Sequence, residues 1–498
     1  MNRDMLPFGP GGLAVIGLYL LSLLFIGWLG HRARRTQTLR DFYLAGRGVG
    51  FFVLLLTLYA TQYSGNTLFG FTGRAFKFGY FWTTSVHFMT AIVVFYLLFA
   101  PKLHQLARLK GFITPSDYLM ERFNSPALVL VGSLVMVVAI SNYLIGQLMA
   151  MGRALEGLTT VDPKVAYVSG VLVLAAIIVV YETLGGFRAV VWTDAVQGLI
   201  LLVGFFVLLF MVFRVFGSLP EATQTLASDP QTAPKVQPPT GQRCREWLSY
   251  VLLVGIGGAL YPQAIQRIYA ARSAATLRRS LSVMAFLPLT TALVALVVGV
   301  IAAAHLPHIK DEYADRVLAV MCRHVQEGSA FGYWLVVVLF AAILAAIMST
   351  ADSVLLSISS MLTKDIYGRF VRPDADEAQL TRMGKRLSWL IVVVVAGLAI
   401  LLRKTDLVTL LDRKFDLLVQ LAPAFFIGIH WQKLRRGPVL AGLIAGIVVA
   451  LAVGYVRQFV FKMSPKVWGF HPGLYGLAVN VLIAVVGSIG GHEKAQAS

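Results

Sequence analysis

The sequence predicts an all-α integral membrane protein with about thirteen transmembrane helices. Two observations carry that prediction. The 498 residues are 57% hydrophobic and only 13% charged, where soluble domains carry roughly 25% charged residues. A chain of this size with so little charge cannot cover a water-soluble surface. Its apolar stretches also run for about 20 residues without the polar alternation of a membrane β-barrel. The net charge of +19 fits basic loops facing a cytoplasm and an anionic leaflet. No basic run interleaves with aromatics, so nucleic acid is not an expected partner.

The first apolar run, 12–30, exceeds a signal-peptide core and is followed by Arg32, Arg34 and Arg35 rather than a cleavage site. It is expected to remain as an N-terminal helix. Further spans are expected near 50–72, 79–100, 126–152, 164–184, 189–213, 248–270, 280–305, 331–361, 385–402, 407–431, 437–456 and 471–491. Lys and Arg weight the segments 31–48, 101–125, 272–279, 363–386 and 431–436. The positive-inside rule then places the N-terminus outside and the C-terminus in the cytoplasm. Residues 214–247, rich in Pro, Thr and Gln, read as an irregular surface loop. No stretch is long enough for a separate soluble domain. Cys244 and Cys322 make neither a metal cluster nor a disulfide framework.

Two spans are broken where a bilayer helix should be continuous. One carries the polar patch Tyr59-Ala60-Thr61-Gln62-Tyr63-Ser64-Gly65-Asn66-Thr67, the other Gly255-Ile256-Gly257-Gly258 with Pro262 soon after. Such breaks free backbone carbonyls, which a membrane tolerates only beside a cavity or ion; close packing through small residues is the competing explanation. The breaks lie five spans apart, each opening a group of five. That spacing points to an inverted-repeat transporter with a site near the midplane. The repeats would be 50–213 and 248–431, with 12–30 and 437–491 outside them, all within one transmembrane domain of 1–498.

Enzyme chemistry has nothing to stand on: there is no HExxH, P-loop, GxSxG or set of paired zinc ligands. The ninth span, by contrast, joins the small residues Ala341 to Ala346 to Ser349, Thr350, Asp352 and Ser353. Sodium is a hard cation that takes hydroxyl, carboxylate and freed carbonyl oxygens. Ser349 and Thr350 offer such oxygens with the Ala346 carbonyl one turn back, and the broken second span adds carbonyls near Ala60 and Tyr63. The alternative is a packing face whose hydroxyls bond back to their own helix. Asp194 is costly in lipid, about 2.5–3.5 kcal/mol near a helix centre, and should face protein, water or a cation.

Several segments together resemble the sodium:solute symporter family: DFYLAGRGVG (41–50), ATQYSG (60–65), GGFRAVVWTDAVQG (185–198), PQAIQRIYAARS (262–273) and the run from Ala341 through MSTADS. GRAFKFGYFW and the GFHP segment at 469–472 place it nearest the pantothenate symporter branch. The resemblance implies the 5+5 inverted repeat of the leucine-transporter type and sodium-driven uptake of a small organic solute in the inner or plasma membrane. It implies a sodium site at the carbonyls of Ala60, Tyr63 and Ala346 with the hydroxyls of Ser349 and Thr350, and a coupling role for Asp194. Asp352 stands where members with a second sodium carry Ser, while Ser353 is retained; Asp352 would sharpen a second cation site or carry a proton.

A solute between the breaks would meet Thr61, Gln62, Ser64, Thr67, Asn142, Gln147 and the backbone of Gly257 and Gly258. The family's proline transporters place an aspartate where Gln62 sits, so proline is not expected; an amino acid or small carboxylate is. The eleventh span carries Asp412-Arg413-Lys414-Phe415-Asp416. Asp412 and Asp416 share a helix face, and Arg413 can reach Asp416 at i+3. Either the charges lie at the interface, or the two acids form an outer gate or a contact for a cationic or zwitterionic solute. Sodium, the solute and the bilayer are the expected partners, with no obligate protein partner. A transporter-shaped sensor input and a proton-driven symporter are the competing functions.

Overall fold

A computed structural model describes residues 8–33, 36, 38–156, 162–403 and 407–489. Among them the regular structure is helical, with only isolated β-bridges. Among the described residues, nine helices are long and apolar enough to cross a membrane, or ten if the bent pair Gly241–Ala259 and Pro262–Ala270 counts as one span. The expected count of thirteen differs for identifiable reasons. Phe51–Gln62 and Leu407–Leu418 have 12 residues each, short of the roughly 20 that span a hydrocarbon core. Pro163–Phe216 has 54 residues, about 80 Å of helix, and is interrupted rather than straight.

That interruption is Gly186, at φ 59° and ψ −153°. A Cβ built there would lie 2.6 Å from the carbonyl oxygen of Phe42, so only glycine lets the chain turn against the Leu39–Leu44 helix. Arg188, two residues on, donates to Asp41 Oδ1 at 2.8 Å and to the carbonyl of Ala33. The Gly-Gly turn and the arginine thus work as one corner.

The basic segments grouped by sequence meet at one end of the bundle. Arg47 donates to the Phe112 carbonyl at 2.8 Å, Val49 bridges to Ala271, and Arg122 donates to the carbonyls of Gly428 and Trp431, each at 2.8 Å. Thr114 Oγ1 donates to Asp365 at 2.7 Å, and Lys364 pairs with Asp117. Burial raises the Asp117 carboxyl, but the Lys364 ammonium and the N–H groups of Ile113 and Thr114 outweigh it and hold the group below the usual carboxylate range. At the opposite end, residues 214–247 are less irregular than expected: Leu219–Ser228 is a helix with a Ser218/Glu221 capping box. Cys244 and Cys322 are both free thiols.

The last two long helices, Arg436–Leu451 and Pro472–Ile489, approach closely where Gly446 faces Gly476. They are tied to the preceding segment by side chains. Gln420 Nε2 donates to the Gly473 carbonyl at 2.9 Å, and Asn480 Nδ2 to the Gln420 carbonyl at 2.6 Å.

Two outcomes follow. Gly186→Ala should destabilise by at least the 1–3 kcal/mol of a strained backbone, read as a lower melting temperature in detergent and less protein in the membrane. Asp117 binds a proton more weakly folded than unfolded, so its stabilisation is present above an unfolded carboxylate pKa of about 4 and lost as pH falls through the lower folded value. Asp117→Asn should therefore flatten the acid limb of the melting curve against pH, and an unchanged limb would remove the latch.

Candidate functional site

The site begins at the first break. Phe51–Gln62 ends at Tyr63, whose φ of −104° and ψ of 91° carry the chain out of helix, and Gly65–Phe78 then resumes it. The Ser64 N–H, which would bond the Ala60 carbonyl in a continuous helix, goes to Thr67 Oγ1 at 3.2 Å. The Thr67 N–H, due to the Tyr63 carbonyl, goes to the Ser64 carbonyl at 2.9 Å. The break thus diverts the helical donors of the two carbonyls named from sequence. Gln62 Nε2 donates to Tyr96 Oη at 2.7 Å, and Tyr96 donates on to the Gly258 carbonyl at 3.2 Å. One tyrosine joins the two breaks.

Ala330–Met361 packs against both halves of that broken helix. Its Thr350 Oγ1 donates to the Ala346 carbonyl at 3.1 Å, and Ser349 Oγ donates to Asp194 Oδ1. Each hydroxyl directs its proton at an acceptor, which leaves oxygen lone pairs able to face a cation. Both residues and Asp194 are buried.

The organiser of this region was not singled out in the sequence. Arg267, 1% exposed on the short helix Pro262–Ala270, pairs with Asp194 Oδ2 at 2.6 Å. It also donates to Ser353 Oγ at 2.6 Å, Thr57 Oγ1 at 2.8 Å and the Gln263 carbonyl at 2.9 Å. Thr57 donates to the same carboxylate oxygen of Asp194. Asp352 lies on the far side of Ser353, which donates to its Oδ1 at 3.2 Å, and it accepts from the Tyr181 hydroxyl. The usable signal was an arginine in a nine-residue stretch with a proline start, inside a span.

A cavity of about 90 Å³ opens beside the break and is lined in part by Gln62, Ser64 and Thr67. The other residues expected to touch a solute fall elsewhere. Thr61, Asn142 and Gln147 are not among its lining; the hydroxyl of Thr61 and the amide of Gln147 are buried without a hydrogen-bond partner among the described residues. Gly257 and Gly258 do not expose backbone to it, because Phe415 packs on the first and Ile92 on the second. The side chain of Asp412 lies outside the described residues. Asp416 is not in the lining: its Oδ1 accepts the Gly473 N–H at 2.7 Å. Arg413 donates to Gln458 Oε1 at 2.6 Å, away from the i+3 pairing with Asp416 expected from spacing. The cluster does reach the cavity, through Lys414.

A family model described as the sodium:solute symporter family matches residues 42–446. The chain belongs to that family. This family member is 28% identical to the sodium/pantothenate symporter of Escherichia coli (strain K12), over 96% of each chain. It is 27% identical to the osmoregulated proline transporter OpuE of Bacillus subtilis (strain 168), over 97% of this chain and 95% of the relative. A solved Na+-coupled sialic acid symporter, in a substrate-bound outward-open state, superposes with a TM-score of 0.81 at 21% identity, covering 99% and 100% of the two chains. These relatives are transporters, not enzymes, as the missing catalytic motifs led one to expect.

Removing Arg267 leaves Asp194 buried with its strongest partner gone, a loss of about 3–5 kcal/mol for a buried pair. Arg267→Gln should lower the melting temperature of the detergent-purified protein sharply. Pairing it with Asp194→Asn should restore part of the loss, and strict additivity of the two variants would contradict the coupling.

Proposed function

We propose that the protein is a sodium-coupled symporter that imports a small organic solute by alternating access. The observation that carries this reading is the placement of diverted carbonyls at Ala60 and Tyr63 in a helix that packs on the one carrying Ser349 and Thr350, at the edge of a cavity. Sodium, as transported cargo, would sit on those carbonyls, the Ala346 carbonyl and the two hydroxyls. Asp194 would link its occupancy to the second broken helix through Arg267. Gln62, Ser64 and Thr67 are the proposed solute contacts from the first break.

The architecture proposed is thirteen spans with a 5+5 inverted repeat over 50–213 and 248–431. In support of it, Gly186 interrupts the longest helix between the spans expected at 164–184 and 189–213. The basic end faces the cytoplasm in this reading, which puts the N-terminus outside and the C-terminus inside a plasma or inner membrane.

Proteoliposome uptake with sodium and proton gradients imposed separately tests the coupling ion, and accumulation driven by a proton gradient alone would overturn the sodium reading. Ser349→Ala combined with Thr350→Ala should raise the sodium concentration for half-maximal uptake several-fold, since an ion losing two ligands is left under-solvated. Asp194→Asn should reduce gradient-driven accumulation more than solute binding. An equal loss of both would assign Asp194 a purely structural role.

A further inference from the structure

Beside the two breaks lie polar side chains with nothing to bind. The Gln263 amide, 0% exposed, and the Thr61 hydroxyl, 1% exposed, have no hydrogen-bond partner among the described residues, and for Gln263 this is true of both nitrogen and oxygen. Neighbouring amides are engaged: Gln62 donates to Tyr96 at 2.7 Å, and Gln266 binds the hydroxyls of Ser357 and Ser360 at 2.6 and 2.7 Å. An unpaired polar group inside a membrane-spanning bundle is costly, so these two point to something that binds them.

Their placement follows from the bond between Arg267 Nε and Thr57 Oγ1, 2.8 Å long. Phe51–Gln62 runs toward its break and Pro262–Ala270 runs away from its own, while Tyr96 ties the breaks together at Gln62 and Gly258. Thr61 is four residues after Thr57, and Gln263 four before Arg267. Each therefore lies one turn, about 5.4 Å, nearer the breaks on the same helix face. On Ala330–Met361, Ser353 accepts from Arg267, and Ser349 stands one turn before it. The three helices pack on one another, which brings Thr61, Gln263 and Ser349 to one layer. The cavity lies next to that layer, since Gln62 and Tyr261 are in its lining. Tyr261 stacks on Tyr143 with centroids 5.7 Å apart, and Lys414 Nζ lies 3.3 Å from the Tyr143 centroid. An aromatic wall thus meets a floor of neutral polar groups.

A carboxamide both donates and accepts, and so does a hydroxyl. A carboxylate, which only accepts, would leave the Gln263 oxygen unpaired, and an ammonium, which only donates, would leave its nitrogen unpaired. A hydroxyl or a second carboxamide satisfies both. No hydrogen bond holds the Gln263 amide in place, so it is able to turn toward a solute seated on Gln62. We propose that Gln263, with Thr61, selects the solute by hydrogen-bonding a hydroxyl or carboxamide group that it carries. This rests on the symporter reading and deepens it. The bound group would lie in the layer of Ser349, which places solute and sodium side by side.

The test is thermal stabilisation of the full-length purified protein in detergent. Sodium is compared with choline before any solute is added, and absence of a sodium response would strike the symporter reading itself. With that response present, matched pairs follow: 3-hydroxybutyrate against butyrate, threonine against 2-aminobutyrate, glutamine against norvaline, and pantothenate against its dideoxy analogue. At least one hydroxyl- or amide-bearing member should stabilise the protein at a concentration about tenfold or more below that of its counterpart. Gln263→Met keeps the side-chain length, removes its hydrogen bonds and should bring that ratio near one. Thr61→Val should lower the ratio, and Thr61→Ser should preserve it. No response or an equal response to every pair would overturn the proposal. So would an undiminished ratio in Gln263→Met, which would leave the amide to a buried water. If Gln263→Met fails to fold, the comparison of Thr61→Val with Thr61→Ser decides.

Discussion

The contact on which the rest of the site depends is the guanidinium of Arg267 against the carboxylate of Asp194. A charged side chain inside a bilayer-spanning bundle is tolerated only when its donors are satisfied by fixed partners. Arg267 meets that demand by drawing on four elements: its own short helix, the first broken helix through Thr57, the helix after Gly186 through Asp194, and Ala330–Met361 through Ser353. Asp194 in turn fixes the hydroxyl of Ser349. The two broken helices and the hydroxyl-bearing helix are therefore registered to one another by hydrogen bonds with strict geometry, where apolar packing alone would allow sliding.

What the sequence disclosed and what it hid follow from physics of different range. Span positions were legible because hydropathy integrates over about 20 residues and is insensitive to neighbours. The break after Gln62 was legible because a polar patch in a span has few local solutions, and the structure shows the helical donors of the Ala60 and Tyr63 carbonyls diverted there. Arg267 was not. Its partners are 73 and 86 residues away for Asp194 and Ser353, and nothing local announces them. The glycines at 257 and 258 were misread for a related reason: a residue without a side chain either exposes backbone or admits a neighbour. Phe415 at Gly257 and Ile92 at Gly258, both distant in sequence, make it the second.

The 412–416 segment shows how helical phase decides chemistry. Residues two apart on a helix point in nearly opposite directions, about 200° apart. Once Asp416 accepts the Gly473 N–H at the start of the last helix, Lys414 must face the other way, and that direction is the cavity. The sequence showed four charges in five residues and gave the acids the leading part. The fold assigns one acid to a neighbouring helix and the lysine to the aromatic wall.

The ties at Asp416, Gln420 and Asn480 have a mechanical consequence. A helix with a lysine seated among aromatic rings on one side and a neighbour's backbone bound on the other cannot roll about its own axis. It can only tilt or translate, and it must then carry the glycine-packed final pair with it. Those two helices present Ile444, Val448, Leu482 and Val486 outward. A displacement at the cavity edge would thereby carry the lipid-facing rim with it. Bilayer thickness, which resists tilting by fractions of a kcal/mol per Å, would in that case act on a cavity it never touches.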